Sequence, residues 1–555
     1  MPATPHHVDH VDHGERIALD AVDLLITGGT VVDGTGAAPR RADVAVRDGR
    51  IVGVGALDPA ARATTVIDAT GLTVTPGFID LHSHADFTLL AAPDAEACLR
   101  QGVTTVVTGN CGLSPFPHTP GPAPAPGATA DSLGAGQWHD AAAFAAAVHE
   151  ARPVLNVALL VGHGALRTAV MGTARAQAGP AQLDAMRALL ADAAEQGAFG
   201  LSTGLIYAPG SFADRDEIVA LAAEAARHDL LYATHMRDEG DHLVEALTEA
   251  LDTARAAGVR LQVSHLKAMG PANHGKVRQA LALIEAAASD GLDVACDVYP
   301  YTASSTRLTS RLPGWAMDGG PTALLRHLAD PATRARVLTD LRPAVGRTFL
   351  PEGVILAQLT PGAYSHRIGD SIADIARDEQ VEPAEAVLKV LAAHHGEAMI
   401  VNHAMAEDDV DTVLRHPSTA VASDGWVLRA PGDGHPHPRN FGTFARVLGH
   451  YTRDRSVLQL TDAVRKMTSL PASRLPLPDR GTVAPGQVAD LVVLDPARIT
   501  DPSTYAEPWQ YATGVRDVLV AGEPVLRDGE PTHARPGRVL RRTPPTTPRP
   551  GPPRR

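Results

Sequence analysis

Six side chains with coordinating or proton-transfer chemistry stand where short apolar runs end. His82 and His84 close GFIDLHSH, Cys111 closes VTTVVTGNC, His235 closes LYATH, His265 closes LQVSH and Asp424 closes AVASD. Imidazole and thiolate bind zinc, and a catalytic zinc keeps one position open for a water. Water held there is acidified toward neutrality, and a carboxylate such as Asp424 can carry its proton to a leaving amine. Together these groups supply what amide hydrolysis requires. Each residue alone has a plainer role: a hydrogen-bonded histidine at a strand end, a small buried thiol, an aspartate turning the chain before Gly425. Their joint placement at five run ends argues for a metal site. Cys98 and Cys296 read as packing residues. His163, which ends LLVGH, reads equally as a support for the site or as a buried histidine.

A set scattered over some 340 positions needs a scaffold that gathers strand ends. Between Gly77 and about Ser469, short apolar runs alternate with Ala-rich stretches of helical spacing, such as AQLDAMRALLADAAEQ. The runs are GFIDLHSH, VTTVVTGNCG, VALLVGHGALR, AFGLSTGLIY, LYATHMRDE, LQVSHLKA, VACDVYPY and AVASDGW. Eight strand–helix units predict an α/β fold, a (β/α)8 TIM barrel, in which all strand C-termini open on one face. An open doubly wound sheet is the alternative, but no GxGxxG follows the first strand. MIVNHA at Met399 competes with VACDVYPY for the seventh strand, and VACDVYPY is preferred. Residues 310–397 are too long for one unit.

Both chain ends alternate apolar and polar residues between Gly and Asp turns, as in LLITGGTVVDGTG and GTVAPGQVADLVVLD. Residues 21–75 and 476–540 therefore predict two parts of one small β-sandwich domain flanking a metallohydrolase barrel at 76–475. Residues 1–20, with His6, His7, His10 and His13, and the Pro/Arg-rich 541–555 predict disordered tails. The stretch PFPHTPGPAPAPG from Pro115 predicts a loop after the second strand.

The net charge of −14 disfavours a nucleic-acid partner, because neutralising phosphates needs a basic face. Three cysteines in 555 residues exclude a disulfide framework and suit a reducing compartment. No apolar run approaches the ~18–20 residues of a membrane helix, and no secretory signal opens the chain. These features predict a cytoplasmic protein without membrane contact, acting on a small molecule. Only four of the 49 basic residues are lysines: Lys267, Lys276, Lys389 and Lys466.

The motifs PGFIDLHSHADF, GVTTVVTGNCGLSPFP, GLSTGLIYAPG, YATHMRDEGD, VSHLKAMG, DVYPYTASST, HPRNFGTFARVLG, KMTSLPASRL and RGTVAPGQVADLVVLDP resemble those of the amidohydrolase superfamily. Within it they resemble the N-acyl-D-amino-acid deacylases. The resemblance spans residues 23–530. It implies hydrolysis of N-acyl-D-amino acids to a carboxylate and a D-amino acid. It also implies one tightly held zinc on His235 and His265, a second metal position at His82 and His84, Cys111 as a shared ligand, and Asp424 as general acid/base. Many relatives bridge two metals with a carboxylated lysine on the fourth strand; here no lysine precedes Lys267, which disfavours a cyclic-amide hydrolase. By the same resemblance Lys267, Tyr299 and Arg439 contact the substrate carboxylate, with Tyr207 and Ser304 beside them. These cations also disfavour a base deaminase. Restriction to N-acyl-D-glutamate or N-acyl-D-aspartate is a narrower alternative, for which Arg307 is a candidate reader of the acidic side chain.

Overall fold

The computed structural model describes residues 21–57, 62–118 and 138–542. The His-rich N-terminal segment, most of the Pro/Gly-rich stretch after Pro115 and residues 543–555 lie outside the described residues.

Eight parallel strands form the central sheet. They are β1 (Phe78–Asp80), β2 (Val103–Thr108), β3 (Asn156–Gly162), β4 (Gly200–Gly204), β5 (Leu231–His235), β6 (Arg260–Val263), β7 (Val294–Val298) and β8 (Thr419–Val421). They pair in sequence order from β1 to β8, and each belongs to one of the eight apolar runs. Closure comes just beyond the last and first strands, where Ser83 bridges Gly425. His84 N donates to Gly425 O at 2.8 Å there, and Asp424 N donates to His82 O at 2.7 Å. The predicted TIM barrel is the observed fold.

The helices that cover the sheet follow from local sequence. Asp214 caps the helix Arg215–Arg227 by accepting from Glu217 N at 2.9 Å. In Leu243–Ala257 the apolar positions Leu243, Leu247, Ala250, Leu251 and Ala254 recur with the helical period and are all buried. Gly258, at φ 67°, ends that helix in the left-handed conformation glycine adopts without strain.

Residues between β7 and β8 build an insert. Its antiparallel sheet has Ala398–His403 in the middle, flanked by Ala303–Arg307 and Val354–Leu359. MIVNHA is therefore the insert's central strand, and VACDVYPY carries β7. The insert has its own core, including Leu324, Phe349, Ile372, Leu391 and Ile400.

Strands from both chain ends join one nine-stranded mixed sheet. Thr73–Pro76 pairs antiparallel with Leu491–Leu494, which links the two ends. The long strand Val22–Val31 shares itself between Ala63–Asp68 along its first half and Thr73–Val74 at its end. Leu24, Ile26, Val44, Ile67, Val74, Leu491 and Leu519 form the core of this unit.

Candidate metal centre

The six residues singled out by their chemistry meet at the C-terminal rim of the barrel, and all six are buried. His235 is the last residue of β5. It shares its strand face with Leu231 and Ala233, which pack with Ile79, Leu81, Ala158 and Leu160 inside the barrel. Cys111, His265 and Asp424 lie two or three residues past β2, β6 and β8, with φ of 53°, 36° and 50°. Left-handed backbone at a residue other than glycine costs of order 1–3 kcal/mol, and it concentrates at functional sites. Here it turns three side chains inward as soon as the ladder ends. Gly204 on β4 permits this for Cys111, since a Cβ there would lie 2.0 Å from Cys111 O.

The coordinating atoms fall into two groups that share one sulfur. Cys111 Sγ lies 3.2 Å from His82 Nε2, 3.5 Å from His265 Nε2 and 3.7 Å from His235 Nδ1. Within each of the sets His82–His84–Cys111–Asp424 and Cys111–His235–His265, ligand atoms lie within 4.8 Å of one another. Asp424 Oδ1 faces His82 Nε2 at 3.4 Å and His84 Nε2 at 3.1 Å, while Oδ2 pairs with Arg439 at 2.8 Å.

The electrostatics suit a cation. Burial alone would push the Cys111 thiol up, but His82, His265 and His235 overcome this and hold it well below its ordinary value. Burial likewise opposes an ionised Asp424, yet Arg439 and His82 hold its carboxyl well below the usual range. His84 is desolvated, but its bonds to Asp424 and Cys111 raise it to about 10. Imidazoles crowded around a thiolate and a carboxylate form a soft, anionic donor set that fits zinc.

Two further carboxylates, not singled out in the sequence, orient the histidines. Asp297 on β7 faces His82 Nδ1 at 3.3 Å, while accepting from His265 N and Gln262 Nε2, each at 2.8 Å. Glu239, in the loop after β5, accepts from Lys267 Nζ at 2.5 Å and faces His265 Nδ1 at 3.0 Å. Both stand inside quoted motifs, DVYPY and YATHMRDEGD, but nothing in their spacing separates them from ordinary acidic residues. His163 is fully buried on the neighbouring strand end, with Nε2 2.7 Å from Glu217, which also receives Arg167.

Of the residues expected to meet a substrate, Lys267 and Arg439 flank Tyr299, whose buried hydroxyl has no hydrogen-bond partner among the described residues. Lys267 Nζ lies 5.7 Å and the Arg439 guanidinium 4.9 Å from its ring centre. Arg439 is not on a free loop. It opens the helix Arg439–Arg446 and donates to Ser305 O at 3.3 Å. The preceding segment is tied down by His437 Nε2 on Ala303 O at 2.9 Å and by Ala430 N on Tyr511 OH at 2.9 Å. Tyr207 packs edge-on to His235 and joins Thr306 through its hydroxyl at 3.0 Å. Ser304 is buried in the insert strand, opposite Asn402. Arg307, on the same strand, is half-buried opposite Met399. Arg311, outside the quoted motifs, lines a cavity of about 200 Å³ with Asp238, Glu239, Asp241, His242 and Ser310.

The amidohydrolase family model matches residues 65–526, and the chain belongs to that family, in its N-acyl-D-amino-acid deacylase group. It is 40% identical to an N-acyl-D-aspartate deacylase of Alcaligenes xylosoxydans xylosoxydans, over 95% of this chain and 97% of that one. It is 39% identical to a D-aminoacylase of the same organism, over 94% and 98% respectively. A crystal structure of N-acyl-D-glutamate deacylase from Bordetella bronchiseptica, complexed with zinc and a phosphonate inhibitor, superposes with a TM-score of 0.81 at 38% identity. It covers 94% of this chain and 100% of that one.

Proposed function

We propose that this protein hydrolyses the amide of N-acyl-D-amino acids, releasing a carboxylate and a free D-amino acid. The observation that carries this is the single sulfur of Cys111 shared by two histidine pairs beside an ionised Asp424. His235, His265 and Cys111 would hold one zinc. His82, His84 and Asp424 complete a second position around the same sulfur. When bound, zinc supplies a Lewis acid for the acyl oxygen and an acidified water.

The protein's own groups do the rest. Asp424, kept ionised by Arg439, accepts the proton of the attacking water and delivers it to the departing nitrogen. Lys267, Arg439 and the unpartnered hydroxyl of Tyr299 bind the substrate's α-carboxylate by charge-assisted hydrogen bonds. Ser304 and Tyr207 line the approach. Replacing that carboxylate by an amide removes its charge-assisted contacts to Lys267 and Arg439, so N-acyl-D-amino-acid amides should be poor substrates.

A narrower reading, an enzyme selective for acidic side chains, is favoured by Arg311. Its guanidinium is desolvated, bonds Ser310 Oγ at 3.3 Å and forms no ion pair among the described residues. An acidic side chain entering the adjoining cavity would pair with it. The test is a panel of N-acetyl-D- and N-acetyl-L-amino acids, including D-Glu, D-Asp and D-Met, with zinc measured on the same sample. Hydrolysis of the L series alone, or of hydantoins alone, overturns the main reading. Equal kcat/KM on D-Met and D-Glu overturns the narrower one.

Three buried, unpaired cysteines support a reducing, cytoplasmic setting, and the acidic balance supports a small-molecule substrate over nucleic acid. Among the described residues no helix is long and apolar enough to cross a membrane.

A further inference from the structure

The structure assigns Glu239 as a positioning residue that couples the zinc ligands to the substrate-carboxylate site. The second half of that statement rests on the role proposed above for Lys267; the first half does not.

The argument begins with ring nitrogens. His265 presents Nε2 to Cys111 and His235 presents Nδ1 to it. In each ring the other nitrogen faces the same carboxylate: His265 Nδ1 is 3.0 Å from Glu239 Oε1 and His235 Nε2 is 3.4 Å from Glu239 Oε2. A neutral imidazole that ligates a metal through one nitrogen carries its hydrogen on the other. Both outward nitrogens then carry hydrogens on the side of Glu239. The contact to His265 Nδ1 is the close one, while His235 Nε2 makes no hydrogen bond among the described residues and would need Glu239 to move slightly nearer. One carboxylate thus stands beside two candidate ligands of the same ion and favours the tautomer that leaves their inner nitrogens free.

Lys267 is the third donor. Its Nζ approaches Glu239 Oε1 to 2.5 Å and His265 Nδ1 to 2.7 Å. The three atoms form a compact triangle, and since an ammonium only donates, Oε1 is the acceptor that both Nζ and a protonated Nδ1 face. Glu239 is itself buried, and a buried carboxylate needs a counter-charge, which Lys267 provides. The same oxygen therefore sets both the His265 ring and the place from which the ammonium meets a substrate.

The test uses zinc-loaded enzyme without substrate, challenged with graded dipicolinate, with bound zinc read by atomic emission. Folding is checked by circular dichroism. Lys267→Met keeps the acceptor and should retain zinc within about three-fold of wild type. The double variant Glu239→Leu/Lys267→Met leaves no unpaired charge but removes the acceptor, and should hold zinc about 10–100-fold more weakly. Glu239→Gln should fall between. A double variant that retains zinc as well as Lys267→Met overturns the assignment. If the double variant does not fold, Glu239→Gln decides, and retention equal to wild type overturns it. Because no substrate is present, this outcome is independent of which amide is cleaved. For the coupling, Glu239→Gln should raise KM for the best N-acetyl-D-amino acid; an unchanged KM removes that link.

Discussion

Asp424 and His82 touch twice. The backbone N–H of Asp424 donates to His82 O at 2.7 Å, and the carboxylate of the same residue lies 3.4 Å from the His82 ring. The first contact closes the barrel between β8 and β1. The second brings the candidate proton carrier beside a candidate metal ligand. Closure of the scaffold and assembly of the site are one event at these two residues, so the carboxylate's place relative to the histidines is set by the sheet and not by a mobile loop.

Asp424→Asn preserves shape and removes the base. It should lower kcat by roughly 10²–10⁴-fold while the protein stays folded, because general acid–base transfer contributes on that scale. The check is kcat on an N-acetyl-D-amino acid together with a thermal melt. An unchanged kcat would eliminate Asp424 as the proton carrier.

Cys111→Ser keeps a hydroxyl where a thiolate stood. The softer, ionised sulfur is the better zinc ligand, so metal content after dialysis and activity should fall together. Zinc addition should restore part of the activity. Full zinc content in the dialysed variant would contradict a shared-ligand role.

Arg439 holds Asp424 ionised, so Arg439→Met should let that carboxyl's pKa rise. Protonation then removes the base at a higher pH than in the wild type. The acid limb of the kcat/KM profile should move to higher pH, with a raised KM from the lost carboxylate contact. A limb that stays in place would show that another group governs it.

Glu217 tests stability away from the metal. Burial opposes its ionisation, but His163 and Arg167 lower its pKa below the ordinary 4.5. A depressed carboxylate contributes stability above its unfolded pKa and loses it as pH falls through the folded value. Glu217→Gln leaves the fully buried Arg167 unpaired and should cost about 3–5 kcal/mol near neutral pH. The gap in melting temperature between wild type and variant should narrow as pH drops below about 4.5. A gap independent of pH would refute the ionic account.

The barrel was legible because its signal is local: short apolar runs alternate with helical Ala-rich stretches, and each chemical residue stands at a run's end. The metal cluster was legible for the same reason, since strand ends converge in a parallel barrel. MIVNHA and VACDVYPY look alike as apolar runs, and only tertiary pairing separates a barrel strand from an insert strand. Glu239 and Asp297 were not legible as site residues, because an acidic residue's partners across the barrel leave no trace in its own neighbourhood. Arg311 was hidden by an insert whose internal pairings are entirely long-range.

The insert between β7 and β8 has a core of its own, and its first strand reaches the site through Ser305 O on Arg439 and Thr306 on Tyr207. The candidate metal ligands named above come from the barrel's strand ends. On the proposed function, the cutting chemistry and the α-carboxylate site sit on the barrel while Arg311 of the insert meets the side chain, so descent can remodel one without rebuilding the other. Relatives that agree on how to cut an amide can then differ on which D-residue they accept.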